Sequence, residues 1–144
     1  MKNYDIAIIG YGPVGAAAAN IFGSKGFNII VIDPKEEIWD IPRAVHFDGQ
    51  TQRIFQEMGI MDDVKLIIDP ADKIRFLDSN GGTLISIGMK GAYQPNGYNE
   101  DVFFNQPLFE EILRNKAQEY SNIDFELGYS VTDLEPSDTS NYLK

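Results

Sequence analysis

The chain has 144 residues and carries 22 acidic against 12 basic side chains, so its formal net charge is −10. Nucleic acids and anionic membranes are bound through basic faces, so this excess of acid argues against both as partners. The chain has no cysteine, which excludes disulfides, a thiol nucleophile and thiolate metal ligands, and its one histidine excludes a metal site built from several histidines.

The apolar runs of the chain are too short to cross a bilayer, and the N-terminus leads straight into a strand rather than into a leader sequence. The apolar content of 43% is ordinary for a soluble globular protein with one hydrophobic core. We therefore expect a cytoplasmic protein whose partners include neither nucleic acid nor membrane. The sequence leaves its oligomeric state open.

The first 33 residues predict a strand, a tight glycine turn, a helix and a second strand. The apolar run Ile6–Ile9 is typical of a buried strand, and the turn Gly10-Tyr11-Gly12-Pro13-Val14-Gly15 follows it. The helix is predicted from Pro13 to Lys25, with Gly26 as its stop. The second strand is predicted over Ile29–Ile32 and ends at Asp33. This order of elements is the βαβ fingerprint of dinucleotide-binding proteins.

Each glycine of the fingerprint has a distinct expected role. Gly10 permits the tight turn out of the strand, and Gly15 lets the helix pack close to the strands. Gly12 leaves room for the backbone to approach a pyrophosphate. The competing interpretation is a glycine-rich turn that serves helix packing only.

The start of the helix and the end of the second strand complete the predicted site. Pro13 suits the first helical turn, where its missing N–H costs nothing, and Val14 and Gly15 present free N–H groups to a phosphate. Asp33 is placed to accept hydrogen bonds from the adenosine ribose, and its charge argues against a 2′-phosphate and hence against NADP in this pocket. Without the glycines, Asp33 would be interpreted as a solvated strand end.

Beyond this unit, the sequence predicts a loop, a helix, a hairpin, a second helix and one or two strands. A helix is expected from Asp48, as its N-cap, to Gly59, with Ile54, Phe55 and Met58 on its apolar stripe, and a short helical turn at 62–64. The remaining expected elements are a hairpin of Lys73–Leu77 and Thr83–Ile87, a helix from Pro107 to Tyr120, a strand over Ile123–Leu127 and a possible further strand over Tyr129–Leu134.

Several details of these elements carry expectations of their own. The second long helix should turn Leu108, Ile112, Leu113 and Ala117 inward, while the acid pair Glu110-Glu111 should lie on a solvated face. The stretch Glu135–Lys144 is polar and shows no periodicity. The predicted fold class is α/β: a Rossmann-like parallel sheet with a βαβ dinucleotide-binding unit and an inserted antiparallel hairpin, apparently incomplete at the C-terminus.

Three stretches together resemble a known family. They are the glycine turn with Asp33, the segment Pro42-Arg43-Ala44-Val45 with Asp48 and the helix after it, and Phe104-Asn105-Gln106-Pro107-Leu108. In this order and spacing, the chain resembles the FAD-dependent aromatic hydroxylases, which are single-component flavoprotein monooxygenases, and among them those acting on 3-(3-hydroxyphenyl)propionate and related phenols. The resemblance covers nearly all of residues 4–134.

The resemblance implies that Arg43 and Gln106 contact FAD along its ribityl and phosphate portion. The guanidinium of Arg43 offers a charged fork to oxygen atoms, and the amide of Gln106 can donate and accept at once. The alternatives are a surface arginine and a residue that merely begins a helix. His46 is expected to have a loop or core role, and no residue of the chain is predicted to be catalytic.

The resemblance implies an activity in which NADH or NADPH reduces FAD and the reduced flavin uses O2 to hydroxylate a small aromatic substrate. The family has two later segments, an Asp-Gly and a Gly-Asp motif, and neither occurs after Leu108 in this sequence. We therefore expect residues 1–144 to be the N-terminal portion of an FAD-binding domain, without the substrate domain. Another FAD- or NAD-dependent oxidoreductase and a truncated, non-catalytic cofactor-binding module remain alternatives.

Overall fold

A computed structural model of the chain describes residues 2–136 and 141–143. The chain divides into two compact units, one formed by residues 1–40 with 110–144 and the other by residues 41–109. Its elements in chain order are β1 (Ile6–Ile9), α1 (Pro13–Gly23), β2 (Ile29–Asp33), β3 (His46–Phe47), α2 (Gly49–Glu57), α3 (Met61–Val64), β4 (Ile68–Pro70), β5 (Lys73–Leu77), β6 (Thr83–Gly88), β7 (Val102–Phe104), α4 (Gln106–Gln118), β8 (Ile123–Leu127), β9 (Leu134–Pro136) and β10 (Asn141–Leu143).

The first unit contains a parallel sheet in the order β1-β2-β8. Ile6 of β1 is paired with Ile29 of β2, and Ile29 with Ile123 of β8. β2 is the central strand and is largely buried. The predicted α/β class, with its βαβ unit, is confirmed.

The expectation of a buried first strand is wrong. β1 alternates between partly buried and exposed residues, and Ile9 is 61% exposed. The physical reason is position in the sheet, because β1 lies at one edge of the described strands whereas β2 has a neighbour on each side. A run of aliphatic residues does not by itself say how many neighbours a strand will have.

Small residues bring α1 close to the sheet and to the elements after it. Ala16 and Ala19 are fully buried, and a Cβ added at Gly23 would lie 2.7 Å from Cδ1 of Ile123. The side-chain amide of Asn20 donates to the carbonyl oxygen of Leu113 in α4 at 2.8 Å. α1 ends at Gly23, two residues before the predicted end, and Gly26 then adopts a φ of +84°.

The second unit is built on two antiparallel sheets. One has the order β3-β7-β4, and the other is the hairpin of β5 and β6. The hairpin was predicted, and its turn is held by Oδ1 of Asp78, which accepts from the N–H groups of Asn80 and Gly82 at 2.8 Å each. The three short strands of the other sheet were not predicted.

An aromatic cluster forms the core of this second unit. It consists of Phe47, Phe55, Phe104 and Phe109, with neighbouring ring centroids 4.7–5.8 Å apart. Tilted and edge-on pairs at such distances are favoured by the charge distribution of aromatic rings. The cluster draws one side chain each from β3, α2, β7 and α4 and so fixes four elements at once.

Helix α2 matches its prediction in position but not in the whole of its buried face. Asp48 is the N-cap, and its side chain accepts from the N–H of Thr51 at 2.7 Å. Phe55 and Met58 are buried as expected, whereas Ile54 is exposed, so its place on the buried stripe was wrong. The buried polar residue of this helix is Gln52, whose amide donates to the carbonyl oxygen of Asn99 at 2.7 Å.

Helix α4 turns a different set of residues inward from the one predicted. Leu113 and Ala117 are buried as expected, but Leu108 is exposed. Glu110 is only 2% exposed, so its predicted place on a solvated face is wrong, while Glu111 is exposed. Arg114, one turn after Glu110, is buried as well. Charged side chains are rarely buried unless the fold supplies partners. The two partners of Arg114, the carbonyl oxygens of Tyr11 and Glu36, are remote from it in sequence.

The last strands also differ from expectation. The possible further strand over Tyr129–Leu134 is not formed over that range: the observed strand is β9 (Leu134–Pro136), which pairs antiparallel with β10. Of the polar stretch for which no periodicity was expected, residues 137–140 and 144 lie outside the described residues. None of the helices formed by the described residues combines the length and the apolar character needed to cross a bilayer.

Candidate functional site

Gly10 begins the site at the end of β1, in a backbone conformation that favours glycine. Its φ is +105°, a value that L side chains rarely adopt. Its N–H donates to the carbonyl oxygen of Ile32 at 2.8 Å, which continues the pairing of β1 with β2 into the turn. The chain can therefore leave the strand and turn at once into α1.

Gly15 is required by packing. A Cβ added there would lie 1.9 Å from the carbonyl oxygen of Gly10, far inside any ordinary contact. The first turn of α1 thus rests directly on the backbone at the end of β1. A side chain at this position would push the helix away from the strand.

Neither backbone conformation nor packing requires a glycine at position 12. Its φ is −76° and its ψ −170°, an extended conformation open to any residue. A Cβ added at Gly12 would meet no atom within 4 Å. The protein itself therefore leaves free the space that a side chain at this position would fill.

The first turn of α1 begins at Gly12. Gly12 is the N-cap and has no side chain with which to cap the helix, and Pro13 occupies the first helical position. The N–H groups of Val14 and Gly15 belong to the turn that finds no acceptor within its own helix. Together with the helix dipole, such groups favour an anion.

Asp33 joins the glycine turn to the segment after β2. Its Oδ2 accepts from the N–H of Tyr11 at 2.6 Å, and its Oδ1 accepts from the N–H of Lys35 at 2.8 Å. Each carboxylate oxygen has a second acceptor position, so a ligand hydroxyl can still be bound. Through its bonds to Tyr11 and Lys35, Asp33 also fixes the conformation of the turn, a role that the sequence reasoning missed.

Arg43 and Gln106 meet in the second unit. Gln106 is 2% exposed, and its Oε1 accepts from the N–H groups of Arg43 and Ala44 at 2.6 and 2.8 Å. The side chain of Arg43 is exposed. Gln106 thus fixes the backbone of the segment that presents Arg43, and a direct contact of either residue with a cofactor stays a prediction.

Other candidate residues take structural or surface positions. His46 is exposed on β3, with Nδ1 3.0 Å from Oδ1 of Asp101. Tyr93 is exposed, and the hydroxyl of Tyr98 donates to Oε1 of Gln56 at 3.1 Å. Within residues 2–136 and 141–143, no group of three or more histidine, aspartate or glutamate side chains is placed to hold a metal ion.

The residues that sequence reasoning missed at this site are Tyr11 and Arg114. Tyr11 is 1% exposed, and Arg114 donates to its carbonyl oxygen at 2.9 Å. Burial raises the pKa of the Tyr11 phenol to about 12, although the nearby guanidinium of Arg114 lowers it. In the sequence, Tyr11 is recognisable only as the residue between two glycines. The residues around Arg114 give no indication that its side chain reaches the glycine turn.

A parallel β1–α1–β2 unit, with a glycine turn that keeps its helix end open and an acid that closes the second strand, defines the class of Rossmann-like dinucleotide-binding proteins. The FAD binding domain family matches residues 3–141, and the chain belongs to this family.

The chain is also similar to curated hydroxylases. It is 32% identical over 128 residues to a 3-(3-hydroxy-phenyl)propionate/3-hydroxycinnamic acid hydroxylase of Paraburkholderia xenovorans (strain LB400), a match that covers 89% of this chain and 20% of the relative. A hydroxylase of the same description from Burkholderia cenocepacia (strain HI2424) is 32% identical over 133 residues, covering 92% of this chain and 24% of the relative. The chain thus spans about a fifth to a quarter of the length of these relatives.

Solved structures share the fold at lower identity. The p-nitrophenol 4-monooxygenase PnpA of Pseudomonas putida DLL-E4 superposes with a TM-score of 0.85 at 18% identity, over 96% of this chain and 35% of that one. The flavin-dependent monooxygenase PieE, solved with FAD and substrate, gives a TM-score of 0.80 at 23% identity, over 96% of this chain and 26% of that one. The resemblance to FAD-dependent aromatic hydroxylases is confirmed.

Proposed function

We propose that this chain is the FAD-binding part of a flavoprotein monooxygenase that hydroxylates a small phenolic substrate with NADH or NADPH and O2. Membership of the FAD binding domain family and the hydroxylase relatives support this proposal. The single observation in the structure that carries it is Gly12, a glycine that neither its backbone conformation nor its packing requires. A pyrophosphate that approaches the backbone would account for it.

The proposed contacts of the adenine nucleotide half follow from the geometry of the turn. The N–H groups of Val14 and Gly15, at the positive end of α1, bind the pyrophosphate. Gly10 and Gly15 set the turn, and Pro13 starts the helix without a competing N–H. The fit is favourable because the space beside Gly12 is free of protein atoms.

Asp33 is proposed to bind the adenosine ribose. Its two oxygens already hold the N–H groups of Tyr11 and Lys35, and their remaining acceptor positions suit the hydroxyls of a ribose. The same acid would repel a 2′-phosphate, which favours FAD over NADP in this site.

In the second unit, Arg43 is proposed to contact the cofactor, while Gln106 holds the backbone that presents Arg43. The exposed guanidinium of Arg43 is free to bind phosphate or carbonyl oxygens. Gln106 is buried, and its Oε1 accepts from two successive N–H groups, so it fixes the segment. Bound FAD would supply the redox chemistry and the activation of O2, and these residues of the chain supply binding and orientation.

We further propose that residues 1–144 form the N-terminal portion of the FAD-binding domain and that a cytoplasmic enzyme carries them. The chain spans a fifth to a quarter of its hydroxylase relatives, so most substrate contacts are expected from residues outside these 144. No catalytic residue is assigned within the chain.

The test is a pair of glycine variants of the protein expressed from its complete gene. Gly12→Val fills the space proposed for the pyrophosphate, so the purified variant should lose its FAD while its far-UV circular dichroism stays unchanged. Gly88→Val is the matched control, because Gly88 also meets no atom within 4 Å of an added Cβ and lies at the end of β6. It should retain FAD. A folded Gly12→Val protein with the full FAD content of the wild type would contradict the proposal.

A further inference from the structure

Arg114 is a buried cation whose two hydrogen bonds both go to backbone carbonyls. It lies on α4 and is 8% exposed. Its Nη2 donates to the carbonyl oxygen of Tyr11 and its Nη1 to that of Glu36, each at 2.9 Å. The guanidinium carbon also lies 4.5 Å from the centroid of the Tyr11 ring. One side chain thus holds both the glycine turn and the segment that follows Asp33.

Asp33 and Arg114 bind the same two backbone segments, Asp33 as a hydrogen-bond acceptor and Arg114 as a donor. Asp33 accepts from the N–H of Tyr11, and Arg114 donates to the carbonyl oxygen of the same residue. After β2, Asp33 accepts from the N–H of Lys35, and Arg114 donates to the carbonyl oxygen of Glu36. The peptide groups on both sides of Tyr11 are therefore fixed.

The bond to the Tyr11 carbonyl has a consequence for Gly12. The peptide between Tyr11 and Gly12 is planar and trans, so its C=O and N–H point in opposite directions. Because Arg114 holds the carbonyl oxygen, it also sets the direction of the Gly12 N–H, which points away from the guanidinium. The orientation of the Gly12 N–H thus depends on a side chain more than a hundred positions away.

The stability of the folded protein does not by itself explain why position 114 is an arginine. Among the described residues, Nε of Arg114 is buried and has no hydrogen-bond partner. A buried polar atom without a partner costs free energy, and apolar replacements of buried charged groups are often neutral or stabilising. The fork of the guanidinium, which reaches two carbonyls at once, is what an apolar side chain could not replace.

We propose that Arg114 is a positioning residue of the dinucleotide site: it orients the Tyr11–Gly12 peptide so that the Gly12 N–H can donate to the cofactor's pyrophosphate. The inference rests on the proposed function for its ligand, but the orientation of the peptide is a property of the protein itself. Lysine keeps the charge and loses the fork, so Arg114→Lys separates positioning from charge.

The first experiment follows the peptide without ligand. In ¹H–¹⁵N spectra of the cofactor-free protein, Arg114→Lys should shift or broaden the amide resonance of Gly12, and the exposed control Arg75→Lys should not. An unchanged Gly12 resonance in a folded Arg114→Lys protein would overturn the proposal, whether or not FAD binds. Arg114→Met provides a second variant that removes the fork and the charge together.

The second experiment measures FAD binding and the phosphates directly. Arg114→Lys should raise the FAD dissociation constant about tenfold or more, which corresponds to one well-formed charged hydrogen bond. The ³¹P resonances of bound FAD should move, while the visible absorption band of the flavin stays unchanged. Wild-type affinity and wild-type ³¹P shifts in Arg114→Lys would refute the positioning role. A wild-type protein that binds no FAD would instead refute the proposed function and leave the amide experiment to decide on Arg114.

Discussion

Replacing Gly15 by alanine tests how the glycine turn is built. The added Cβ would lie 1.9 Å from the carbonyl oxygen of Gly10, whereas ordinary contact begins at 3.4 Å, so α1 and the end of β1 must separate by more than an ångström. Overpacking of this kind costs about 1–3 kcal/mol and sometimes more. The better helix propensity of alanine returns at most about 1 kcal/mol. Because both clashing groups are backbone, we expect a net loss near the upper end, about 2 kcal/mol.

Gly12→Ala is the matched comparison within the same turn. The added methyl group meets no atom within 4 Å, and the backbone at Gly12 is open to alanine. Loss of an N-cap glycine costs a few tenths up to about 1 kcal/mol, and the reduced freedom of the unfolded chain returns about 0.4–1 kcal/mol. The two effects oppose each other, so the free energy of unfolding should change by less than about 1 kcal/mol.

Both variants can be measured by urea denaturation of the cofactor-free protein, followed by circular dichroism. For Gly15→Ala, the free energy of unfolding extrapolated to zero urea should fall by about 2 kcal/mol. Equal stability of Gly15→Ala and the wild type would show that the helix can move away freely. The close packing of α1 on β1 would then not explain this glycine.

Two further predictions concern buried and capping groups. Among the described residues, the buried hydroxyl of Tyr11 has no hydrogen-bond partner, so Tyr11→Phe should leave the free energy of unfolding unchanged or raise it; a loss above about 1 kcal/mol would contradict this. Burial raises the pKa of Tyr11 from 10.0 to about 12, so wild-type stability should fall as the pH rises from 10 towards 12, and this part of the fall should vanish in Tyr11→Phe. At helix α2, the N–H of Thr51 lowers the pKa of Asp48 below 3.8, so its contribution is present above that pH and is lost as the pH falls below it. Asp48→Ala should therefore cost about 1 kcal/mol at pH 7 and less at pH 2.5, and an equal cost at both pH values would argue against an ionised cap.

The parts of the fold that local chemistry determines could be predicted from the sequence. The glycine turn was recognised because Gly10 requires an unusual φ and Gly15 a close approach, and both needs are met within six residues. The N-cap at Asp48 and the turn of the β5–β6 hairpin are also local, since the bonds accepted by the side chains of Asp48 and Asp78 join residues no more than four positions apart.

The parts that depend on remote partners could not be predicted. Arg114 reaches Tyr11 across 103 positions, so the helical pattern of α4 gave no sign that this charged side chain and Glu110 would be buried. The strands β3, β4 and β7 have two or three residues each, too few to show an alternating pattern. The exposure of β1 follows from the order of strands in the sheet, which an apolar run does not encode.

The most direct test of the account is to identify the cofactor. The protein expressed from its complete gene should be yellow as purified, and denaturation should release a flavin that chromatography and mass spectrometry identify as FAD. Added NAD should not displace it. A colourless protein that binds NAD tightly and ignores added FAD would contradict the claim that Gly10–Gly15 and Asp33 hold FAD.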